Sequence, residues 1–285
     1  MKIIPINNNG INNLAFGSCF RVYSPKAIKN AGNCFGKDKI RTSTNIFRED
    51  LDWYALIQYI HSHFADKEKV QVYSLACSDG SEAYSFAMSV LEYIPKEYRS
   101  KYLPVNACDI DKEIVKSAAK RRINIDNIEF LISEKYGNVK IGKYFCDQKE
   151  IVSIKQNITS DIDKAFSYRP VKDLREAVLF KCSDILTELK NIKDNGNSII
   201  FCRNVFPYLS KRYADAVAET AGEKLKNGSL FIIGDYDAYA DIDNKLDKNG
   251  FFQPSINNRF LHGNNIFQRG SSEEITKRLN SGFLI

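Results

Sequence analysis

Val70-Gln-Val-Tyr-Ser-Leu-Ala-Cys77, then Ser78-Asp-Gly-Ser81, then Glu82-Ala-Tyr-Ser-Phe-Ala-Met-Ser-Val-Leu-Glu-Tyr-Ile94, is the stretch whose reading decides the fold. Its first part is a short apolar run of strand length. The middle is turn chemistry, with Gly80 allowing a tight turn and the close approach of a ligand. The last part places Ala83, Phe86, Ala87, Val90, Leu91 and Ile94 at helical spacing and ends before Pro95.

The same alternation continues outward. Leu103–Cys108 reads as a second strand, followed by Asp109-Ile-Asp111 and a helix through Ile114, Val115, Ala118 and Ala119. Ala177–Cys182, Ser198–Arg203 and Ser229–Gly234 read as further strands. Helices are expected over Ile185–Ile192 and Tyr213–Lys226, with Gly228 closing the second. Gly250–Gln253 and Asn265–Arg269 are two more strand candidates. Upstream, Leu51, Tyr54, Leu56, Ile57, Ile60 and Phe64 mark the apolar face of a helix within Asp50–Phe64. Residues 1–40 read as an irregular lead-in with one short helix near Pro25–Asn30. Residues 41–285 form the main domain, and 122–177, less regular and with strand-like Glu150–Lys155, look like a small inserted subdomain. Strand–helix alternation of this kind predicts an α/β fold built on a doubly wound, mostly parallel sheet. Ligands of such sheets sit at the carboxyl ends of the strands, near the point where strand order reverses.

Those strand ends carry the chemistry. An acidic residue at the position of Asp109 can accept hydrogen bonds from ribose hydroxyls; the plainer reading is that Asp109 and Asp111 both cap the next helix. Asp111 suits the cap and leaves Asp109 free. Ser183-Asp184-Ile185 and Cys202-Arg203-Asn204 end two further strands. An Arg-Asn pair after an apolar run points both side chains at the crevice, or else makes a surface salt bridge with an Asx-turn.

Composition narrows the classes. The chain has 285 residues with 44% hydrophobic content, enough for a sizeable core. The net charge of +6 carries no Lys/Arg block, so nucleic acid is not an expected partner, whereas an acidic protein or anionic substrate is. Seven cysteines without C-x-x-C spacing argue against a disulfide framework or a zinc site; Cys77, Cys108, Cys182 and Cys202 read as buried small hydrophobes. His61 and His63 cannot share a helix face and form no ligand pair. No apolar run is long enough to span a membrane, and Met1–Gly10 lacks the pattern of a signal peptide, so a cytoplasmic protein is expected.

Four segments in order resemble the CheR-type protein-glutamate O-methyltransferases. Thr42-Ser-Thr-Asn-Ile-Phe-Arg-Glu49 resembles that family's N/T-x-T-x-F-F-R-E. Cys77–Ser85 resembles its C-S-x-G-E-E-P-Y-S, Ala107–Asp111 its A-x-D-I-D, and Phe201–Tyr208 its F-C-R-N-V-x-x-Y. The resemblance covers roughly Thr42 to Asp235 and implies a Rossmann-like class I methyltransferase that uses S-adenosyl-L-methionine and releases S-adenosyl-L-homocysteine. It implies that Glu82 meets the methionine amino end, that Asp109 binds the ribose, and that Asp184 and Ile185 line the adenine side. Cys202, Arg203 and Asn204 would lie beside the cofactor, and Thr42, Thr44 and Arg48 on a segment closing over it. Arg48 and Tyr208 would stand nearest the transferred methyl, as catalytic residues. An acidic protein substrate, such as a chemoreceptor-like protein, follows as the implied partner.

Departures qualify the match. Ser81 and Ala83 replace an acidic residue and a proline, Asp184 an asparagine, and Gly234-Asp-Tyr-Asp237 a G-H-S-E-like ending. Thr42 stands where the chemotaxis enzymes usually have Asn. The first 40 residues do not read as the family's helical N-terminal domain, which is linked to receptor recognition. Two other readings therefore stand beside a protein-carboxylate methyltransferase: one with a small-molecule or other acceptor, and a non-catalytic cofactor-binding scaffold.

Overall fold

The computed structural model describes residues 21–22, 41–42, 44–119, 123–126, 133–151, 165–254, 265–271 and 273–274. The helix expected near Pro25–Asn30 and the last part of the Glu150–Lys155 strand lie outside them.

Helix α1 (Trp53–His63) starts where Asp52, in extended conformation, accepts a hydrogen bond from the Ala55 N–H at 2.8 Å. Such a cap satisfies one of the orphan donors of a first turn. Trp53, Ala55, Leu56, Ile57 and Ile60 form the buried face. Tyr54, expected on it, is instead exposed, and its ring meets Tyr93 edge-on. Strand β1 (Gln71–Leu75) leads into α2 (Ser81–Tyr93), β2 (Val105–Asp109) and α3 (Lys112–Ala119). Three strands follow, β3 (Ile123–Asp126), β4 (Phe145–Ile151) and β5 (Ala165–Pro170). They make a separate antiparallel sheet in the order β3-β5-β4, within the stretch read as an insertion.

The chain then returns through α4 (Lys172–Glu176), β6 (Val178–Cys182), α5 (Ile185–Asn191), β7 (Ser198–Phe201) and α6 (Lys211–Lys224). It closes with β8 (Leu230–Ile232), α7 (Ile242–Lys248), β9 (Phe251–Phe252) and β10 (Ile266–Arg269). The large sheet has seven strands in the order β6-β2-β1-β7-β8-β10-β9. β6, β2, β1, β7 and β8 are parallel to one another, and β10 is antiparallel to both of its neighbours, β8 and β9. This is the doubly wound α/β architecture expected from the alternation.

Position in the sheet explains strand composition. β7 is central and all four of its residues are buried, as helices on both faces require, whereas β6 at the edge leaves Leu179 exposed. Trp53 packs between Phe47, edge-on at 5.7 Å, and Phe201, stacked at 6.1 Å, so α1 covers the end of β7. Two expectations are corrected. Helix α6 ends at Lys224 with Leu225 already extended, so Gly228 does not close it; its φ of 95° serves the turn into β8. Cys182 is exposed because it ends the edge strand, while Cys77, Cys108 and Cys202 are buried as anticipated. No helix among the described residues is long and apolar enough to cross a membrane.

Candidate functional site

The strand order reverses between β1 and β7: the chain runs outward through β2 to β6 before returning to β7. The loops after these two strands therefore flank the crevice where doubly wound sheets bind ligands. The loop after β1 is tightly wound, with positive φ at Ala76 (57°), Ser78 (52°) and Gly80 (91°). Gly80 supplies the turn as anticipated. The close approach at this glycine, however, is made by the chain itself, since a Cβ there would come within 2.6 Å of the Phe180 ring.

Beyond Gly80, the first turn of α2 presents Glu82. Its Oε1 accepts the Ser74 hydroxyl at 2.7 Å, and its Oε2 accepts from an Arg203 Nη at 3.3 Å. Arg203, whose side chain is 2% exposed, also donates to Asp50 and lies under the Trp53 ring, 5.3 Å from its centroid. The second oxygen of Asp50 accepts Asn204 Nδ2 at 3.0 Å and the Asp235 N–H at 3.3 Å, and the Asp50 carbonyl accepts Asn265 Nδ2 at 3.3 Å. The segment before α1, the loops after β7 and β8 and the residue before β10 thus meet at one residue, Asp50. The Arg-Asn pair accordingly faces neither open solvent nor a surface partner, but a buried ionic cluster.

Burial and charge compete across this cluster. For Glu82 burial wins over Arg203, Ser74 and Arg48, and its pKa is raised. For Asp50 burial also opposes ionisation, but Arg203, Asn204, Arg48 and the Asp235 N–H together outweigh it and lower the pKa. Both carboxylates feel Arg48, which is half-exposed and whose carbonyl accepts Trp53 Nε1 at 3.2 Å.

Asp109 is not left free. It is 1% exposed, with one oxygen accepting the Ser78 N–H at 2.9 Å and the other the Asp111 N–H at 2.9 Å, so it stitches the first loop to the second. Burial pushes its pKa up to about 6. Asp111 caps α3 as anticipated, accepting from the Glu113 N–H at 2.9 Å. Asp184 caps α5, accepting the Thr187 N–H at 3.0 Å, the Thr187 hydroxyl at 2.5 Å and the Tyr213 hydroxyl at 3.1 Å. Ile185 beside it is buried. Cys202 is fully buried and its thiol raised well above its ordinary value by burial, so its side chain belongs to the core. Tyr208 ends a single turn, Phe206–Tyr208, and is half-exposed. Thr44 is half-exposed, and Thr42 lies in a short strand, Arg41–Thr42, paired with Arg21–Val22.

Asp50, Trp53, Ser74, Asp237 and Asn265 were not picked out by sequence reasoning as site residues. Asp237 is fully buried and accepts three backbone N–H groups, from Gly234 at 2.7 Å, Asn204 at 2.5 Å and Phe206 at 3.0 Å. It therefore clamps the loop after β7 to the one after β8. The nearest signal was the departure of Gly234-Asp-Tyr-Asp237 from the resembling family. Gly234 is fixed by the Asn204 side chain, into which a Cβ would drive.

The residues fit S-adenosyl-L-methionine, the cofactor the resemblance implies. A carboxylate has about four acceptor sites. Glu82 uses one on each oxygen toward Ser74 and Arg203, and so keeps capacity for an ammonium group. The buried Arg203 Nε has no hydrogen-bond partner among the described residues and is a further donor in the same place.

Comparison with known proteins agrees. Residues 42–251 match the family model described as CheR methyltransferase, SAM binding domain. A "Chemotaxis protein methyltransferase" of Listeria monocytogenes is 25% identical over 193 residues, 67% of this chain and 63% of that protein. "Chemotaxis protein methyltransferase 2" of Vibrio cholerae is 25% identical over 202 residues, 70% of this chain and 63% of that protein. This chain therefore spans less than two thirds of the length of these relatives. Among solved structures, a magnesium protoporphyrin IX methyltransferase from Synechocystis PCC 6803 with bound SAH is 12% identical, covering 80% of this chain and 89% of that one at a TM-score of 0.38. With the family model matched over most of its length, this chain belongs to the family of CheR methyltransferase SAM-binding domains.

Proposed function

We propose that the protein transfers a methyl group from S-adenosyl-L-methionine to a glutamate carboxylate of an acidic protein substrate, chemoreceptor-like as the names of its relatives suggest, in the cytoplasm. One observation carries this reading: two arginines and two carboxylates, Arg48, Arg203, Asp50 and Glu82, gather at the switch point, and of the two arginines Arg203 is buried while Arg48 is half-exposed. The net charge of +6 also suits an acidic partner.

The bound cofactor supplies a methyl on a sulfonium, a strong electrophile that needs only an aligned nucleophile. A glutamate side chain, with a pKa near ~4.3, is already ionised at neutral pH, so no general base is required. Glu82 holds the ammonium of the cofactor's amino acid end. Arg48 pairs with the incoming carboxylate at the mouth, and the Tyr208 hydroxyl donates a hydrogen bond that fixes its orientation. Asp109 and Asp184 border the ribose and adenine sides through the loops they cap. Alignment and the exclusion of water supply the rate.

Incubating a candidate receptor domain with methyl-labelled cofactor should place base-labile label on the protein. Arg48→Ala and Tyr208→Phe should each cut turnover by roughly 10²-fold, the cost of losing alignment, while S-adenosylhomocysteine affinity changes little. Unchanged turnover in both variants would remove this assignment. Label appearing only on a small molecule would support the other acceptor class, and cofactor binding without turnover the scaffold reading.

A further inference from the structure

We infer that Asp50 is a positioning residue of the cofactor site: by holding the Arg203 guanidinium, it keeps the Glu82 carboxylate open for an incoming ammonium. This rests on the reading of Glu82 as the ammonium partner.

The cluster contains one deeply buried guanidinium and two carboxylates that compete for it. Arg203 makes its closest contact with Asp50, and its contact with Glu82, at 3.3 Å, is looser than a well-formed charge-assisted hydrogen bond. Asp50 is held in place from several directions, by Asn204 Nδ2 at 3.0 Å, the Asp235 N–H at 3.3 Å and, through its own carbonyl, Asn265 at 3.3 Å. Among the described residues, Glu82 is otherwise held on its other oxygen alone, by the Ser74 hydroxyl at 2.7 Å. Asp50 is thus the fixed partner of Arg203, and Glu82 the loosely held one.

Charge makes the arrangement consequential. In a water-poor site a buried guanidinium pairs with whatever carboxylate remains. With Asp50 neutral, Arg203 would close on Glu82 as a two-pronged pair, and an ammonium could reach Glu82 only by displacing it. Arg48 acts on both carboxylates and is common to both situations. Asp50 lies in the turn between the Arg48 segment and α1, and its contact with Arg203 is the one that couples it to Glu82.

Calorimetric titration of the purified protein tests this with three probes. S-adenosylhomocysteine carries the ammonium and carboxylate, its decarboxylated analogue keeps only the ammonium, and 5′-methylthioadenosine has neither. Asp50→Asn should weaken the first two by at least ~10-fold and leave methylthioadenosine within about twofold, as loss of one ionic contact predicts. In a Glu82→Gln background the same substitution should add no further loss. Asp50→Glu keeps a carboxylate for the Arg203 guanidinium, so it should fold even where Asp50→Asn does not, and should retain most of the wild-type preference for the ammonium-bearing probes. Equal weakening of all three probes in Asp50→Asn, or a folded Asp50→Glu without that preference, would overturn the inference. Wild-type protein that binds methylthioadenosine but gains nothing from the ammonium would instead remove the role given to Glu82, and this inference with it.

Discussion

The interior of the large sheet and its β6 edge both place an aspartate at the carboxyl end of a parallel strand, and the two behave in opposite ways. Asp109, the last residue of the inner strand β2, is 1% exposed and its pKa is raised to about 6 by burial. Asp184, after the edge strand β6, is half-exposed; burial opposes its charge there too, but Thr187 and Tyr213 outweigh it and lower the pKa. Each accepts hydrogen bonds from nearby groups, so partner number does not separate them; loss of water does. At the centre, charged side chains must be matched to one another to survive burial. At the edge, each can be judged by its local role alone.

Matching at the centre is tested most severely at Arg203. Arg203→Met leaves Asp50 and Glu82 buried without their common cation, and removing one member of a buried pair costs about 3–5 kcal/mol. Urea unfolding should show a loss of this size, several-fold larger than any single change at the β6 edge. A loss under about 1 kcal/mol, the range of exposed pairs, would mean that water reaches the cluster and that centre and edge do not differ.

Asp237 gives the next effect, with a pH signature. It is fully buried, accepts three N–H groups, and burial outweighs those bonds to raise its pKa from 3.8 to about 7. A carboxyl raised in the folded state favours folding most below its unfolded pKa and loses that contribution as pH rises through the folded value. Asp237→Asn removes the titration and disrupts the clamp at an offset of about 1–3 kcal/mol. The wild-type advantage over the variant, measured by unfolding at several pH values, should therefore shrink between pH 3.8 and about 7. An advantage that grows over that window would show the carboxylate to be stabilised by its three donors more than it is penalised by burial.

Most of this centre was hidden in the sequence, while the frame around it was not. Strands β1, β2 and β7 were legible because central parallel strands must be apolar on both faces, Arg203 and Asn204 because they stand directly after such a run, and Glu82 through the family resemblance of the Cys77–Ser85 loop. Asp50 was not, because its partners Arg203, Asn204, Asp235 and Asn265 come from distant parts of the chain and no spacing rule joins them. Asp109 was expected to be free once Asp111 had taken the helix cap; the positive φ at Ser78 that turns its N–H toward Asp109 is not a property a serine advertises. Gly228 misled for a related reason: a glycine after a helix can serve either the cap or the next turn, and only the backbone decides which.

The smallest effect belongs to Asp184, and it separates two roles for one side chain. As the N-cap of α5 it accepts the Thr187 N–H at 3.0 Å, and its loss in Asp184→Ala should cost about 1 kcal/mol. With a folded pKa below the ordinary 3.8, its contribution is present above that value and is lost as pH falls through the folded one, the reverse of Asp237. Asp184→Asn keeps an oxygen that can accept from Thr187 and should restore most of the stability while removing that acid dependence. If it also leaves S-adenosylhomocysteine affinity unchanged, the residue works at the edge as a cap, and the adenine side depends on where α5 begins. A tenfold loss of affinity at restored stability would instead make the charge itself a ligand of the cofactor. The matching of charges found at the centre would then extend out to the edge of the sheet.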